Sequence, residues 1–98
     1  MKNAIETAAT LLRERAKRTT DATAFSVKAS KDKDEILLTP DMKRRTWDWH
    51  LNASSFHHME EVTAICTALH LSFYFSGAML ESPSGKSVPS FEVRIYSL

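Results

Sequence analysis

Residues 46–52, Thr-Trp-Asp-Trp-His-Leu-Asn, carry the clearest structural pattern of the chain. Trp47, Trp49 and Leu51 alternate with polar residues, just as the side chains of a strand alternate between its two faces. The pattern predicts a strand with one dry face and one wet face. Ser54 and Ser55 follow, and a serine hydroxyl there is expected to cap an amphipathic helix. A strand of this kind leading into a helix predicts a sheet covered on one side by helices.

Patterns on both sides of this stretch predict the other elements. Apolar residues recur at three- and four-residue spacing in 3–19 and 55–70, which predicts two amphipathic helices. The expected fold is a single α+β domain over residues 1–98, with element order α-β-β-β-α-β-β. It is a two-layer sandwich in which two helices cover one face of a mainly antiparallel five-stranded sheet. Its strands are predicted from alternating or aromatic-rich sequence at 23–30, 35–39, 45–52, 71–80 and from 91 to the C-terminus.

Composition is that of an ordinary globular protein, with 43% apolar and 26% charged residues among 98. Cys66 is the only cysteine, which rules out an intrachain disulfide and a zinc site of four cysteines. No apolar run approaches the roughly 20 residues of a membrane span, and the N-terminal stretch lacks the apolar centre of a signal peptide. We therefore expect a cytoplasmic protein with no membrane partner.

The alternation divides the predicted strands into a core face and a wet face. Under the apolar stripes of the two helices we expect a core in which Trp47 and Trp49 take part. The core residues expected from the strands are Phe25, Val27, Ile36, Leu38, Trp47, Trp49, Leu51, Phe73, Phe75, Val93 and Ile95. Those expected from the helices are Ile5, Leu12, Phe56, Met59, Ile65 and Leu69.

The wet face of the predicted sheet is the candidate binding site. It combines charged residues with two tyrosines, and tyrosine and arginine are enriched at the energetic centres of protein interfaces. A plain solvated face is the alternative interpretation of the same residues. The candidate binding residues are Asp48, His50, Tyr74, Arg94 and Tyr96.

Patterns that suggest chemistry are weaker. Cys66 and His70 are four residues apart on one helix, but a metal site needs two more ligands nearby. Asp48 and His50 stand about 7 Å apart on a strand, too far for direct pairing, and no nucleophile motif accompanies them. Ser84-Gly85-Lys86-Ser87 lacks the first glycine of a phosphate-binding loop and precedes a strand. We expect no catalytic residues, no metal and no cofactor, and we lean against an enzyme.

Charge is unevenly distributed along the chain. Residues 1–45 contain eleven Lys and Arg against seven Asp and Glu, whereas residues 46–98 contain two against five. Clustered cations are what phosphate binding requires, but acidic residues such as Asp32, Asp34 and Asp41 stand among them. Weak nucleic-acid binding is therefore the alternative function.

The sequence favours a small non-enzymatic binding or accessory domain that acts through protein–protein contact. Either the wet sheet face or a sheet edge would make that contact. The last strand, with Phe91, Val93 and Ile95, is expected to be an edge because it ends the chain. Pairing through an edge would give a homodimer, or would accept a strand from a protein partner.

Overall fold

The computed structural model describes residues 3–19, 24–30, 34–41, 56, 58–81, 85 and 87–97. These residues form two helices and an antiparallel sheet, which confirms the α+β class. The sheet has four strands where five were predicted, and the predicted strand at 45–52, with Trp47 and Trp49, lies outside the described residues. The elements are α1 (Ala4–Lys17), β1 (Phe25–Ser30), β2 (Glu35–Pro40), α2 (Met59–Leu69), β3 (Leu71–Glu81) and β4 (Ser87–Ser97).

Helix α1 begins at a capping residue, Asn3, and buries one face that consists mainly of alanine. The Asn3 side chain accepts a 2.7 Å hydrogen bond from the backbone N–H of Glu6, satisfying one of the free donors of the first turn. Arg15 and Lys17 lie in the last turn, where the helix dipole favours cations. The side that faces the sheet carries Ile5, Ala8, Ala9, Leu12 and Ala16, all buried.

Helix α2 begins later than predicted. Its N-cap is His58, whose side chain makes no capping hydrogen bond, and the predicted caps Ser54 and Ser55 lie outside the described residues. Glu60 and Glu61 in the first turn supply the negative charge that the helix N-terminus favours. At the other end His70 adopts a left-handed conformation with φ 56°, and β3 starts at the next residue.

The strand order is β1-β2-β4-β3, with every neighbouring pair antiparallel. Strands β1 and β2, which are consecutive in the chain, pair antiparallel over six residues each. The expectation that the last strand is an edge is wrong, since β4 lies between β2 and β3 and Val93 has Leu38 on one side and Phe75 on the other. Burial fits the placement, because Val93 and Ile95, which have strand partners on both sides, are fully buried.

The β3–β4 hairpin is longer than predicted and extends past β2. Strands β3 and β4 pair over eleven residues each, whereas β2 pairs with β4 only from Val93 to Tyr96. Pro89 lies in the part of β4 beyond this β2 pairing. A proline, which has no N–H to donate, is tolerated there because the described sheet has a neighbour on one side only.

The core lies between the helices and one face of the sheet. Phe56 joins it as a partly buried ring, with its centroid 5.6 Å from Phe25 and 4.7 Å from Phe91. Phe73 and Phe75 were predicted as core residues, but they are 37% and 47% exposed. They lie on the correct face of the sheet, on an outer strand that the helices cover less completely. The predicted core residues that the structure buries are Ile5, Leu12, Phe25, Ile36, Leu38, Val93 and Ile95, with Val27, Phe56, Met59, Ile65 and Leu69 packed against them.

Candidate docking surface

The face of the sheet away from the helices is here called the open face. Cross-strand register places Tyr74 directly opposite Arg94, and Tyr96 two residues further along the same strand. Tyr74 is 58% exposed, Tyr96 is 37% exposed and the Arg94 side chain is 48% exposed. Side chains directly opposite on neighbouring strands are within contact range, so these three residues form one continuous patch.

Three of the five candidate binding residues are therefore brought together. Tyr74, Arg94 and Tyr96 come from the two strands of one hairpin, and they point to the same side because their register preserves the alternation. Asp48 and His50 lie outside the described residues.

The charge at the centre of the open face is balanced within the face itself. Arg94 Nη1 donates to Glu35 Oε1 over 3.2 Å, and Arg94 Nε lies 3.7 Å from Glu92 Oε2. Exposed pairs of this kind stabilise a fold by about 1 kcal/mol or less, so they mainly orient the guanidinium. A shallow depression of about 270 Å³ lies beside them, lined by Lys28, Ala29, Ser30, Glu35, Leu37 and Arg94.

A second surface feature is the outer edge of β3, here called the β3 edge. No other described strand lies beside it. Phe73, Phe75 and Met79 are exposed on the helix side of this strand, Met79 by 64%. Glu81 is the only charged residue in the eleven-residue strand. Natural edge strands usually avoid pairing with other chains by being short or by containing lysine or proline. Strand β3 is eleven residues long and contains neither residue.

Sequence reasoning identified the aromatic strand but assigned the edge to the wrong strand. A signal was present, since residues 71–80 contain no charged residue and no proline, whereas Glu92 and Arg94 interrupt the last strand. Uncharged aromatic sequence is also typical of a buried central strand, so only the pairing order decides between the two.

Other candidate features do not converge on a chemical site. Cys66 is 1% exposed inside the core, and desolvation by burial raises the pKa of its thiol. Within the described ranges no three His, Cys, Asp or Glu side chains gather where they could hold a metal ion. A depression of about 660 Å³ beside α1 is lined partly by Glu6, Arg13 and Asp34, whose charges are mixed.

The cations of α1 are partly neutralised by neighbouring carboxylates. Arg15 forms an ion pair with Glu61 of α2, and Lys17 Nζ lies 3.4 Å from Glu14 Oε1. Arg13 is exposed on the same helix, and Arg18 is exposed at its C-cap. Neither described helix has the length and apolar character needed to cross a membrane.

Comparisons with known proteins do not assign this chain to a family. No protein-family model matches the chain, and no curated protein or solved structure matches it either.

Proposed function

We propose that this domain is a non-enzymatic binding or accessory module that acts through protein–protein contact at the open face and the adjoining β3 edge. The observation that carries the proposal is the exposed patch of Tyr74, Arg94 and Tyr96 on one hairpin. Large amphipathic side chains such as these supply contact area at low conformational cost and are the commonest energetic centres of interfaces. The proposal covers a protein partner as well as a second copy of the chain.

The setting of the patch supports binding to protein rather than to a strongly charged ligand. Arg94 already has Glu35 and Glu92 as partners, so the centre of the face carries little uncompensated charge. Leu37 lies opposite Arg94 on the neighbouring strand and adds apolar surface. A mixed face of this kind, with aromatic residues and locally paired charges, has the composition of an ordinary protein interface.

Site-specific photo-crosslinking tests the proposal. A photoreactive phenylalanine analogue replaces Tyr74 in one variant and Leu11, an exposed residue of α1, in a matched control. In cells that express the chain, we expect discrete protein adducts from position 74 and few or none from position 11. Equal labelling from both positions, or no adduct from position 74 at any expression level, would contradict the proposal.

Weak nucleic-acid binding is the second candidate, and the exposed Arg13 of α1 and Arg18 at its C-cap favour it. Binding through phosphates weakens steeply with salt, because each contact releases condensed counterions. Fluorescence anisotropy of labelled single- and double-stranded oligonucleotides at about 50 and about 200 mM salt decides the question. Affinity lost between these two salt concentrations, and lost again in an Arg13→Gln, Arg18→Gln variant, would replace the protein-contact proposal by this one.

We further propose that residues 45–52 form a fifth strand and that the chain works in the cytoplasm. The alternation around Trp47 and Trp49 supports the strand, and the single buried thiol of Cys66 suits a reducing compartment. In this arrangement Asp48 and His50 would extend the open face. Trp47→Ala should then cost about 3–5 kcal/mol of unfolding free energy, measured by denaturant titration. A nearly unchanged stability would refute the placement of this strand.

A further inference from the structure

We infer that the depression between Lys28 and Arg94 on the open face receives one acidic side chain of the protein segment that docks there. The inference rests on the proposed function and adds the chemistry of the partner. Register places the two cations around the depression, because Lys28 of β1 and Arg94 of β4 both lie opposite Leu37 of the strand between them. The partner segment then presents a carboxylate to these cations and an apolar side chain beside it.

The charged side chains of the open face differ in exposure. The Arg94 side chain is 48% exposed, whereas those of Glu35 and Glu92 are 22% and 29% exposed. Lys28 is exposed as well, and among the described residues no carboxylate pairs with it. A docking protein therefore meets the cations before the glutamates. Since Coulomb energy falls with distance, a carboxylate at this surface gains more from the cations than it loses to the less exposed glutamates.

Hydrogen-bond donors remain available beside the depression. Within the face Arg94 uses Nη1, which donates to Glu35 Oε1 over 3.2 Å, and Nε, which lies 3.7 Å from Glu92 Oε2. A guanidinium carries donors on all of its nitrogens, so the N–H groups of Nη2 are left over, and the ammonium of Lys28 adds its own. Hydrogen bonds from such charged donors to a carboxylate are stronger than those between neutral groups. The depression can therefore hold a carboxylate by direct contact.

Size and charge limit the occupant to a single acidic side chain. The depression measures about 270 Å³, less than the roughly 300–1,000 Å³ of pockets that enclose small molecules. Its described lining contains the cations Lys28 and Arg94 and the carboxylate of Glu35, which leaves a surplus of one positive charge. Glu35 and Glu92 would repel further carboxylates. One Asp or Glu therefore fits better than an acidic run or a row of phosphates.

The surroundings favour an apolar residue next to the acidic one. Leu37 is part of the lining, and Tyr74 lies directly opposite Arg94 with 58% of its surface exposed. An aliphatic or aromatic side chain of the partner can pack on these two residues while its acidic neighbour reaches the cations. Such packing excludes water from the charged contact and lowers the local dielectric, which strengthens the attraction.

Selection of random short peptides, displayed on phage, against the immobilised full chain tests the chemistry of the partner. We expect selected peptides to carry one Asp or Glu beside an aliphatic or aromatic residue at least about twice as often as the unselected library. Peptides without this excess would overturn the inference. If their binding is nevertheless lost in Tyr74→Ala, the proposed function stands and only the acidic contact is wrong. A selection that yields no peptide dependent on Tyr74 would count against both.

Two matched lysine variants locate the contact. Lys28→Met removes a positive charge from the depression, and Lys17→Met removes one from α1, where the Lys17 side chain is 72% exposed. The affinity of a selected acidic peptide, measured by fluorescence anisotropy, should fall at least about threefold in Lys28→Met. It should be unchanged in Lys17→Met. Equal affinity of both variants for the peptide would overturn the inference.

Exchanging the two charges gives the sharpest test. A second peptide carries lysine in place of the acidic residue and is otherwise identical. The unmodified chain should prefer the acidic peptide, whereas Lys28→Glu should prefer the lysine peptide, because the charge contact is restored with its signs reversed. Circular dichroism confirms the fold of the variant, and Lys28→Gln, which removes the charge alone, should bind the two peptides with more nearly equal affinity. If Lys28→Glu retains the preference of the unmodified chain, the acidic side chain binds elsewhere and the inference is wrong.

Discussion

At the residue scale, depth of burial separates side chains of the same type. Phe25 and Phe91 are 1% exposed, whereas Phe73 and Phe75 on the same sheet face are 37% and 47% exposed. Phe25 lies on β1, against which α1 packs, and the Phe56 ring contacts both Phe25 and Phe91, whereas Phe73 and Phe75 lie on the outer strand β3. The same aromatic side chain therefore stabilises the core in one place and is available for contact in the other.

Alanine substitution measures this contrast. Phe91→Ala should lower the free energy of unfolding by about 3–5 kcal/mol, because it opens a cavity that the surrounding core fills only in part. Phe75→Ala should cost about 1 kcal/mol or less in the monomer, since much of the ring is already in water. Denaturant titration at low protein concentration gives both values. Equal costs for the two variants would mean that Phe75 is a core residue after all.

The thiol of Cys66 should behave as a buried group. Native protein is expected to react with a thiol reagent far more slowly than denatured protein, because the thiolate that reacts is disfavoured by burial. Burial raises the pKa in the folded state above its ordinary value of 9.0, so the unfolded chain loses this proton first. Stability should therefore fall as pH rises above about 9.

Chemical unfolding at pH 8 and at pH 10 tests whether the free energy of unfolding falls as the pH rises. The control is Cys66→Ala. The loss of stability that belongs to the thiol should be smaller in the alanine variant. Labelling of native protein at the denatured rate would show that the thiol is accessible.

At the element scale, β4 organises the sheet. It joins the β1–β2 hairpin to β3, and its inward residues Phe91, Val93 and Ile95 are at most 1% exposed. Strand β3 extends the sheet by one position but keeps a free outer edge in the described structure. Strand β4 is thus interior to the described sheet, whereas β3 lies at its edge.

Proline at Val93 distinguishes a central strand from an edge. Val93 lies between Leu38 and Phe75, so proline there removes a backbone donor and clashes within a paired strand. We expect Val93→Pro to be unfolded by circular dichroism at room temperature. Val93→Ala, which keeps the backbone N–H, should unfold cooperatively with reduced stability. A folded Val93→Pro protein that had merely lost self-association would place β4 at an edge.

At the scale of the whole molecule, the two helices contact each other as well as the sheet. The ion pair of Arg15 with Glu61 joins α1 to α2 across 46 positions of sequence. Both side chains are about two-fifths exposed, at 39% and 40%, so water and salt screen the attraction. The apolar core under both helices contributes most of the cohesion between them.

A double-mutant cycle with Arg15→Met and Glu61→Gln measures this link. The coupling energy should be about 1 kcal/mol or less and should decrease as salt is raised. Denaturant midpoints of the four proteins at low and high salt supply the data. A coupling of several kcal/mol that is insensitive to salt would mean that the pair is far better shielded than its exposure indicates.

Local patterns were sufficient to predict the class of fold and the sorting of residues between faces. The spacing of Ile5, Leu12 and Ala16 produces an amphipathic helix, and the alternation of Phe91, Val93 and Ile95 produces a strand with a buried face, because both periods follow from backbone geometry. The same alternation placed Tyr74, Arg94 and Tyr96 together on the face away from the core. These features depend on neighbours within a few residues along the chain.

The order of strands was decided only by the tertiary structure. Phe73, Phe75 and Val93 all follow the same local pattern, yet Val93 became central and the two phenylalanines became peripheral. Two helices cover only part of a sheet, so not every strand with an apolar face can be fully buried. Which strand remains at an edge therefore depends on how all the strands and both helices pack together. Sequence therefore determined which face each side chain takes, whereas packing of the whole molecule determined that β3, rather than the last strand, lies at an edge of the described sheet.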